Sequence, residues 1–305
     1  MKISVAIPSY QREQVLLDTI EQVLALDTLP LEILVVDQTP IHGQNVEEGL
    51  QALAAEERIH WLRLKKPSIP AAMNRALLVA QGEVVLFLDD DVELVSEIVS
   101  AHVAAHQKNK VALVAGQVIQ NWQTVLDEDD PWYDVNPEDS PDAFRFNSCR
   151  PSTIFRFMGG NFSVNTEVAL KLGGFDENFV KVAYNFEAEF ADRLLAAGHT
   201  ILFYPKASIR HLKTESGGTR SFGDHLTTLS PSHAVGRYYY QLAAKNKGRV
   251  EKYLHIISGP FRAISTRFHL LHPWWIPVTF VAECSGIVWA LSLHARGPRL
   301  LEMRS

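Results

Sequence analysis

Three apolar runs, ISVAIPSY (3–10), LEILVVDQT (31–39) and EVVLFLDDD (83–91), each give way abruptly to polar residues, and helical patterns separate them. The first separator places Val15, Leu16, Ile20, Val23 and Leu24 near helical spacing, which predicts a helix over 12–26. GLQALAAEE and VSEIVSAHVAAHQK read as further helices, as does IPAAMNRALLVAQG with Gly82 at its C-cap, and IHWLRLKK reads as a strand. Strands that are apolar throughout, alternating with helices, require a parallel sheet covered on both faces. Right-handed crossovers then bring the C-terminal strand ends to one rim, where open α/β sheets bind ligands. Ser9, Asp37 and Asp89–Asp91 all fall at such ends.

The acidic triplet needs a reason. Like charges so close repel one another and raise their own pKa values. Alternation along an extended chain puts Asp89 and Asp91 on one face and Asp90 on the other. Two carboxylates on one side suit a hard divalent cation that completes its shell with substrate phosphates. Asp90, facing away, is expected to bond nearby backbone amides.

The rest of the chain shows VALVAGQVI as a strand and an irregular excursion over 121–157 rich in Trp, Pro, Asp and Asn. A Gly-rich turn, strand and helix follow in FMGGNFSVNTEVALKLGGFDE, then a helix in NFEAEFADRLLAAG and strands in TILFYPKASIRH. LKTESGGTRSFG, carrying Lys213 and Arg220, reads as a mobile loop close to the site. Cys149 and Cys284, far apart and without a CxxC partner, are expected as buried free thiols in a reducing compartment. MKISVAIPSY is too short an apolar run for a signal peptide and reads as a first strand. These features predict cytoplasmic chemistry. A formal net charge of -6 argues against nucleic-acid binding.

The series SVAIPSYQR, ILVVDQT, AAMNRALLVAQGEVVLFLDDDVEL, GGNFSVNTEVALKLGGFDENF, EAEFADRLLAAG and YPKASIRH resembles, in order and spacing, the family 2 glycosyltransferases of GT-A fold over roughly residues 2–220. That resemblance implies a GT-A-like, Rossmann-related α/β fold with a mostly parallel sheet. It also implies an inverting transfer of sugar from a UDP-, dTDP- or GDP-linked donor to a saccharide or lipid-linked acceptor hydroxyl, with Mn2+ or Mg2+. Pro8, Ser9, Tyr10 and Asp37 resemble the base and ribose pocket, and Asn74 and Arg75 the nucleotide-binding pair in reversed order. Arg12 is either a phosphate contact or a surface charge. The resemblance implies Asp91 as direct metal ligand, Asp89 and His211 as its companions, and Asp90 beside the donor. Gly159, Gly160 and Asn161 resemble the turn under the donor sugar and acceptor. Glu187 falls on the catalytic acid, with Glu189 as second candidate and Phe186 replacing an expected acid; Arg193 braces the helix. Arg220 and Lys213 are candidates to close over the diphosphate.

Two other classes compete. A sugar nucleotidyltransferase would need a Gly- and Lys/Arg-rich first loop, which IPSYQR is not; a non-catalytic nucleotide-sugar-binding protein would have neither Glu187 nor Glu189 at the pocket.

Residues 1–225 are expected as the catalytic domain and 226–305 as a helical appendage. Residues 231–305 carry a net +7 against -13 for the rest. Within them His272–Arg296 is almost wholly apolar, with Trp274 and Trp275 at one end. Its length permits a membrane span, but Pro277, Glu283 and Gly286 weaken that reading. Packing on the domain and peripheral contact with an anionic membrane are the other expectations.

Overall fold

The computed structural model describes all residues except 127–128, 131–136, 138–142, 215, 245–247 and 303–305. Much of the irregular excursion expected over 121–157 therefore lies outside the described residues. The first half forms the expected units: β1 (Ile3–Ser9), α1 (Gln14–Leu24), β2 (Glu32–Asp37), α2 (Gln44–Ala55), β3 (His60–Arg63), α3 (Ile69–Val79) and β4 (Val84–Leu88). β1 pairs in parallel with both β2 and β4, and β2 with β3. Val84–Leu88 are wholly buried because the sheet is covered on both faces. α3 stops at Ala80, so Gly82 is not its cap. A Cβ there would stand 2.6 Å from the Ser4 backbone nitrogen, and close approach to β1 is what Gly82 allows.

Beyond β4 the sheet becomes mixed. After β5 (Val92–Leu94) and α4 (Ile98–Asn109) come β6 (Leu113–Gln120), β7 (Ser152–Ile154), β8 (Asn161–Asn165), α5 (Thr166–Lys171), α6 (Phe186–Ala196) and β9 (Ile201–His211). The nine strands among the described residues run β3-β2-β1-β4-β8-β6-β9-β5, with β7 on β9. β8 is antiparallel to both β4 and β6, and β5 and β7 are antiparallel to β9. Two hydrophobic layers sandwich the sheet, one of them rich in the contacting rings of Phe87, Phe162, Phe175 and Phe190.

The C-terminal segment forms α7 (Val235–Ala243), α8 (Arg249–Ile264), α9 (Arg267–Leu271) and α10 (Ile276–Arg296). Val235, Tyr238, Tyr239 and Tyr240 of α7, Ile256 of α8, and Ala290 and Leu293 of α10 join the aromatic layer of the sheet, so the expected appendage shares its core. Residues 273–296 have the length and a mean hydropathy of 1.6 that would suit a span. One side of α10 is nevertheless committed to protein: Glu283 accepts bonds from Arg237 and Tyr238, and Gly286 abuts Ala234. Cys149 is exposed and Cys284 partly so; both are free thiols, not the buried ones expected.

Candidate active site

The register Ser9↔Asp37 between β1 and β2, with β4 alongside, aligns three strand ends on one rim. Asp89 follows β4, and its backbone amide donates to the Gly160 carbonyl at 3.1 Å. Three-residue β5 then pairs with the far end of β9, setting Val92 opposite His211. That pairing brings a side chain 120 positions away onto the acids: His211 Nε2 lies 3.1 Å from Asp91 Oδ1 and 3.7 Å from Asp89 Oδ2. Candidate ligand atoms on Asp89, Asp91 and His211 all lie within 4.8 Å of one another. His211 Nδ1 bonds Gln120 Oε1 at 3.0 Å, which aims Nε2 at the carboxylates. Burial would lower the His211 pKa, yet the bond to Asp91 and the charges of both acids raise it. Burial would raise Asp91, but His211, Arg12 and Thr214 hold it below the usual carboxylate value.

Arg12 is no surface charge. Its side chain is 5% exposed, with Nε 3.1 Å from Asp90 Oδ1 and Nη2 3.0 Å from Asp91 Oδ2. Its Nη1 donates to the Thr214 hydroxyl and the Ser216 carbonyl. Asp90 thus turns to Arg12 and not to backbone amides. Thr214 completes the ring by donating N–H and O–H to Asp91 Oδ2 at 3.1 and 3.0 Å. The loop after β9 sits against the β1–α1 turn: Gly218 N–H donates to Tyr10 O at 2.7 Å. Gly217 has φ +79°, and a Cβ on it would meet Gln11 O at 2.2 Å, so glycine is required there twice over.

These segments enclose a cleft lined by Pro8, Ser9, Tyr10, Arg12, Gln38, Asp89–Asp91, His211, Arg220 and others. Arg220 Nη1 stands 3.8 Å from Asp91 Oδ2. Sequence reasoning missed two of its walls. Phe222 stacks on Tyr10 with ring centres 6.1 Å apart, and Lys181 Nζ lies 5.5 Å over the Phe222 ring. Lys181 has φ +63° in an irregular turn, a position that no periodicity marks. Lys213 instead lies over Trp122.

On the sugar side, a Cβ on Gly160 would meet Asp89 Oδ2 at 2.2 Å, and one on Gly159 would meet Glu187 Oε1 at 3.0 Å. The glycine pair therefore separates Asp89 from Glu187 by little more than backbone. Burial pushes the Glu187 pKa up to about 7, and the Asp89 charge adds to the rise, against bonds from the Glu187 and Gly159 amides. Glu189 faces elsewhere, held by Arg193 Nε at 2.7 Å, while Arg193 also caps the Leu172 and Gly174 carbonyls.

Four expected residues lie off the cleft. Asn74 exchanges bonds with the Phe175 backbone at 2.7 and 2.8 Å and reaches Glu177, pinning α3 to the turn after α5. Arg75 is exposed and is not among the lining residues. Asp37 is fully buried, accepting from Thr39 N, Trp61 Nε1 and His42. Asn161 knits the sheet, donating to Gln117 O and Ala207 O.

The family model for glycosyl transferase family 2 matches residues 4–172, more than half of the chain. The chain belongs to glycosyl transferase family 2. Among solved structures, this glycosyltransferase is similar in fold to a mannosyltransferase, PcManGT of Pyrobaculum calidifontis in complex with GDP-Man and Mn2+, at 17% identity and TM-score 0.54, over 97% of this chain and 79% of that one. It is similar to S. aureus TarS (residues 1–349), at 12% identity and TM-score 0.59, over 97% and 83%. It also resembles GalNAc-T7 with UDP, GalNAc and Mn2+, at 16% identity and TM-score 0.58, over 84% of this chain but about half, 54%, of that one. The shared fold is GT-A. No curated protein matches the sequence. The family match stops before Glu187, His211, Arg220 and Phe222, so in this glycosyltransferase it is the tertiary structure that joins them to the acidic cluster.

Proposed function

We propose that the protein is an inverting, metal-dependent transferase that moves a sugar from a nucleotide-diphosphate donor to an acceptor hydroxyl. The observation that carries the proposal is Glu187 and the Asp89–Asp91–His211 group meeting across the Gly159–Gly160 turn. Two carboxylates and an imidazole nitrogen fit a divalent cation, with Mn2+ or Mg2+ both compatible with the oxygen-rich set. Bound there, the cation would supply Lewis-acid stabilisation to a departing diphosphate.

The chain's own residues supply the rest. The Tyr10–Phe222 wall suits a planar base, and Arg220 and Lys181 offer positive charge to phosphate. Glu187, with a pKa near neutrality, suits the base that takes the acceptor proton. Glu189 is tied to Arg193, so one acid faces the sugar side, which suits direct in-line displacement and inversion. Asp37 acts from behind the rim by holding Thr39, His42 and Trp61, and Asn74 braces α3 against the turn after α5; neither touches the nucleotide. The donor would be UDP-, dTDP- or GDP-linked, the acceptor a saccharide or lipid-linked saccharide in cell-surface polysaccharide or glycolipid synthesis, and the site of action cytoplasmic.

A thermal-shift panel of nucleoside diphosphates and their sugars, with and without Mn2+, tests the reading. A ligand at about 100 times its Kd adds about 2.7 kcal/mol, or roughly 4 °C in a chain of this size. One base should stabilise, and only with metal. Stabilisation by no member, or the same with and without Mn2+, would overturn the proposal.

A further inference from the structure

Helix α8 shows its apolar side to the outside. Val250, Tyr253, Leu254, Ile257 and Phe261 follow an i, i+3, i+4, i+7, i+11 pattern and so share one arc of about 100°. In a soluble helix that arc faces the core. Here all five are between 57% and 73% exposed. The helix is held from another side, through buried Ile256 and Pro260, and through Gly259, where a Cβ would meet Tyr238. The apolar arc is therefore surplus to packing.

It does not stand alone. The Phe261 ring meets Phe280 of α10 at 5.6 Å. α9 exposes Leu270 and Leu271, and a ring series from Phe268 through His272 reaches the exposed Trp274. Val281, Val288 and Leu291 continue the exposed apolar positions along α10. So large an exposed apolar area needs a covering.

Charge indicates which covering. Arg262, Arg267 and Arg296 are exposed along the same segment. Between residues 249 and 299 the acids are Glu251 and Glu283, and Glu283 is buried in its bonds to Arg237 and Tyr238. A second copy would set cation against cation. An anionic lipid surface would attract this +7 segment and repel the -13 remainder, orienting the molecule with α8 downward. The segment lies flat on this reading: α8 has 16 residues, about 24 Å against a hydrocarbon core of about 30 Å. α10 is held to protein along Thr279, Glu283, Gly286 and Ala290.

We propose that the outward faces of α8 and α9 and the start of α10 form a membrane-docking surface seated in the headgroup layer of an anionic bilayer. The proposal stands independently of the catalytic reading. The test is co-sedimentation of the full chain with phosphatidylglycerol/phosphatidylcholine vesicles, against pure phosphatidylcholine vesicles. Binding to the anionic vesicles is expected, weakened about fivefold for each engaged cation when the anionic lipid is omitted. The variant L254E/I257E/F261E should lower partition by about 100-fold or more, and the milder L254S/I257S by about tenfold. L254S/I257S should keep the wild-type melting temperature, since both positions are exposed. Brominated lipid should quench wild-type fluorescence more than that of W274F. Failure of the wild type to sediment with anionic vesicles, or equal binding by wild type and both variants, overturns the proposal. So does a wild-type dimer that L254S/I257S turns into monomer without any vesicle binding, which would assign the face to a second copy.

Discussion

Replacing Glu187 by Gln removes one charge and little volume, so it separates chemistry from packing. A positioned general base contributes about 10²–10⁴ in rate, equivalent to about 3–5 kcal/mol of barrier, and the loss should appear in kcat. Burial and the Asp89 charge push the Glu187 pKa up to about 7. Because the base must be ionised, wild-type rate should rise with pH and level off above about 7; E187Q should lack that limb. The same shift has a stability consequence. The folded pKa lies above the unfolded one, so ionisation penalises the folded state. The penalty is absent below the unfolded value of about 4.3 and complete above about pH 7, where the shift corresponds to at most about 4 kcal/mol. Since the side chain keeps some solvent access, about 1–2 kcal/mol is the expected remainder.

E187Q should therefore melt about 2–3 °C above wild type at pH 8 without metal, with the gap closing toward pH 4. Initial rates of nucleoside diphosphate release across pH, paired with melting curves, read both effects. Near-wild-type turnover in E187Q, or an unchanged acid limb, would refute the assignment of the base. A lower melting temperature at pH 8 would show that Gln damages packing, and would remove the stability argument. E189Q provides the contrast: it should keep the acid limb while losing about 1 kcal/mol of stability, because the Gln oxygen still accepts from Arg193 but carries no charge.

Gly160→Ala requires no backbone change, since Gly160 does not have positive φ, but its methyl would drive Asp89 aside; metal-dependent donor stabilisation should fall with melting of the unliganded protein within about 1 °C. Asp91→Ala should cost about 10³-fold or more in rate and abolish the Mn2+-dependent thermal shift, whereas Asp90→Ala should retain that shift and lose stability, because it leaves Arg12 Nε unpaired beneath the site. Asn74→Ala should destabilise by about 2–3 kcal/mol by orphaning the Phe175 amide, with donor affinity unchanged by isothermal titration.

What could be read from the chain was what depends on local pattern. Buried parallel strands must be apolar on both faces, so β1, β2 and β4 announced themselves, and their polar ends marked the rim. Asp89, Asp91, His211 and Glu187 do converge, although none of their separations in sequence states a distance. The failures share one physical character: a short-range motif cannot show which distant backbone competes for a side chain. Asn74 sits where a nucleotide ligand was expected, but the Phe175 amide, 101 positions on, takes its carbonyl oxygen. Gly82 followed a helix and looked like its cap, yet β1 passes too close for any Cβ. The antiparallel insertion of β8 between β4 and β6 had no local signal, because an apolar strand pairs equally well either way. Nor does the period of α8 state which side of the helix the protein occupies.

The acidic triplet itself shows how such a cluster survives on a buried rim. The three Asp share two cations that meet at Asp91: Asp90 takes Arg12 Nε, Asp91 takes Arg12 Nη2, Thr214 and His211, and Asp89 shares His211 while keeping access to solvent. Asp91 Oδ2 is thus occupied by groups on the loop after β9, and Oδ1 by a His211 proton. Binding a divalent cation through Asp91 Oδ1 and His211 Nε2 would exchange that proton for metal and leave Oδ2, Arg12 and Thr214 in place. The loop would then stay tied to Asp91 through Thr214, with Arg220 and Phe222, a few residues further, lining the cleft. On the proposed reading, metal and loop would be coupled through one carboxylate. Thr214→Val should accordingly loosen the loop, raising the donor KM several-fold while leaving Mn2+ affinity in the absence of donor nearly unchanged. Equal loss of both would mean that Thr214 supports the metal site itself, and the coupling would have to run through Arg12 instead.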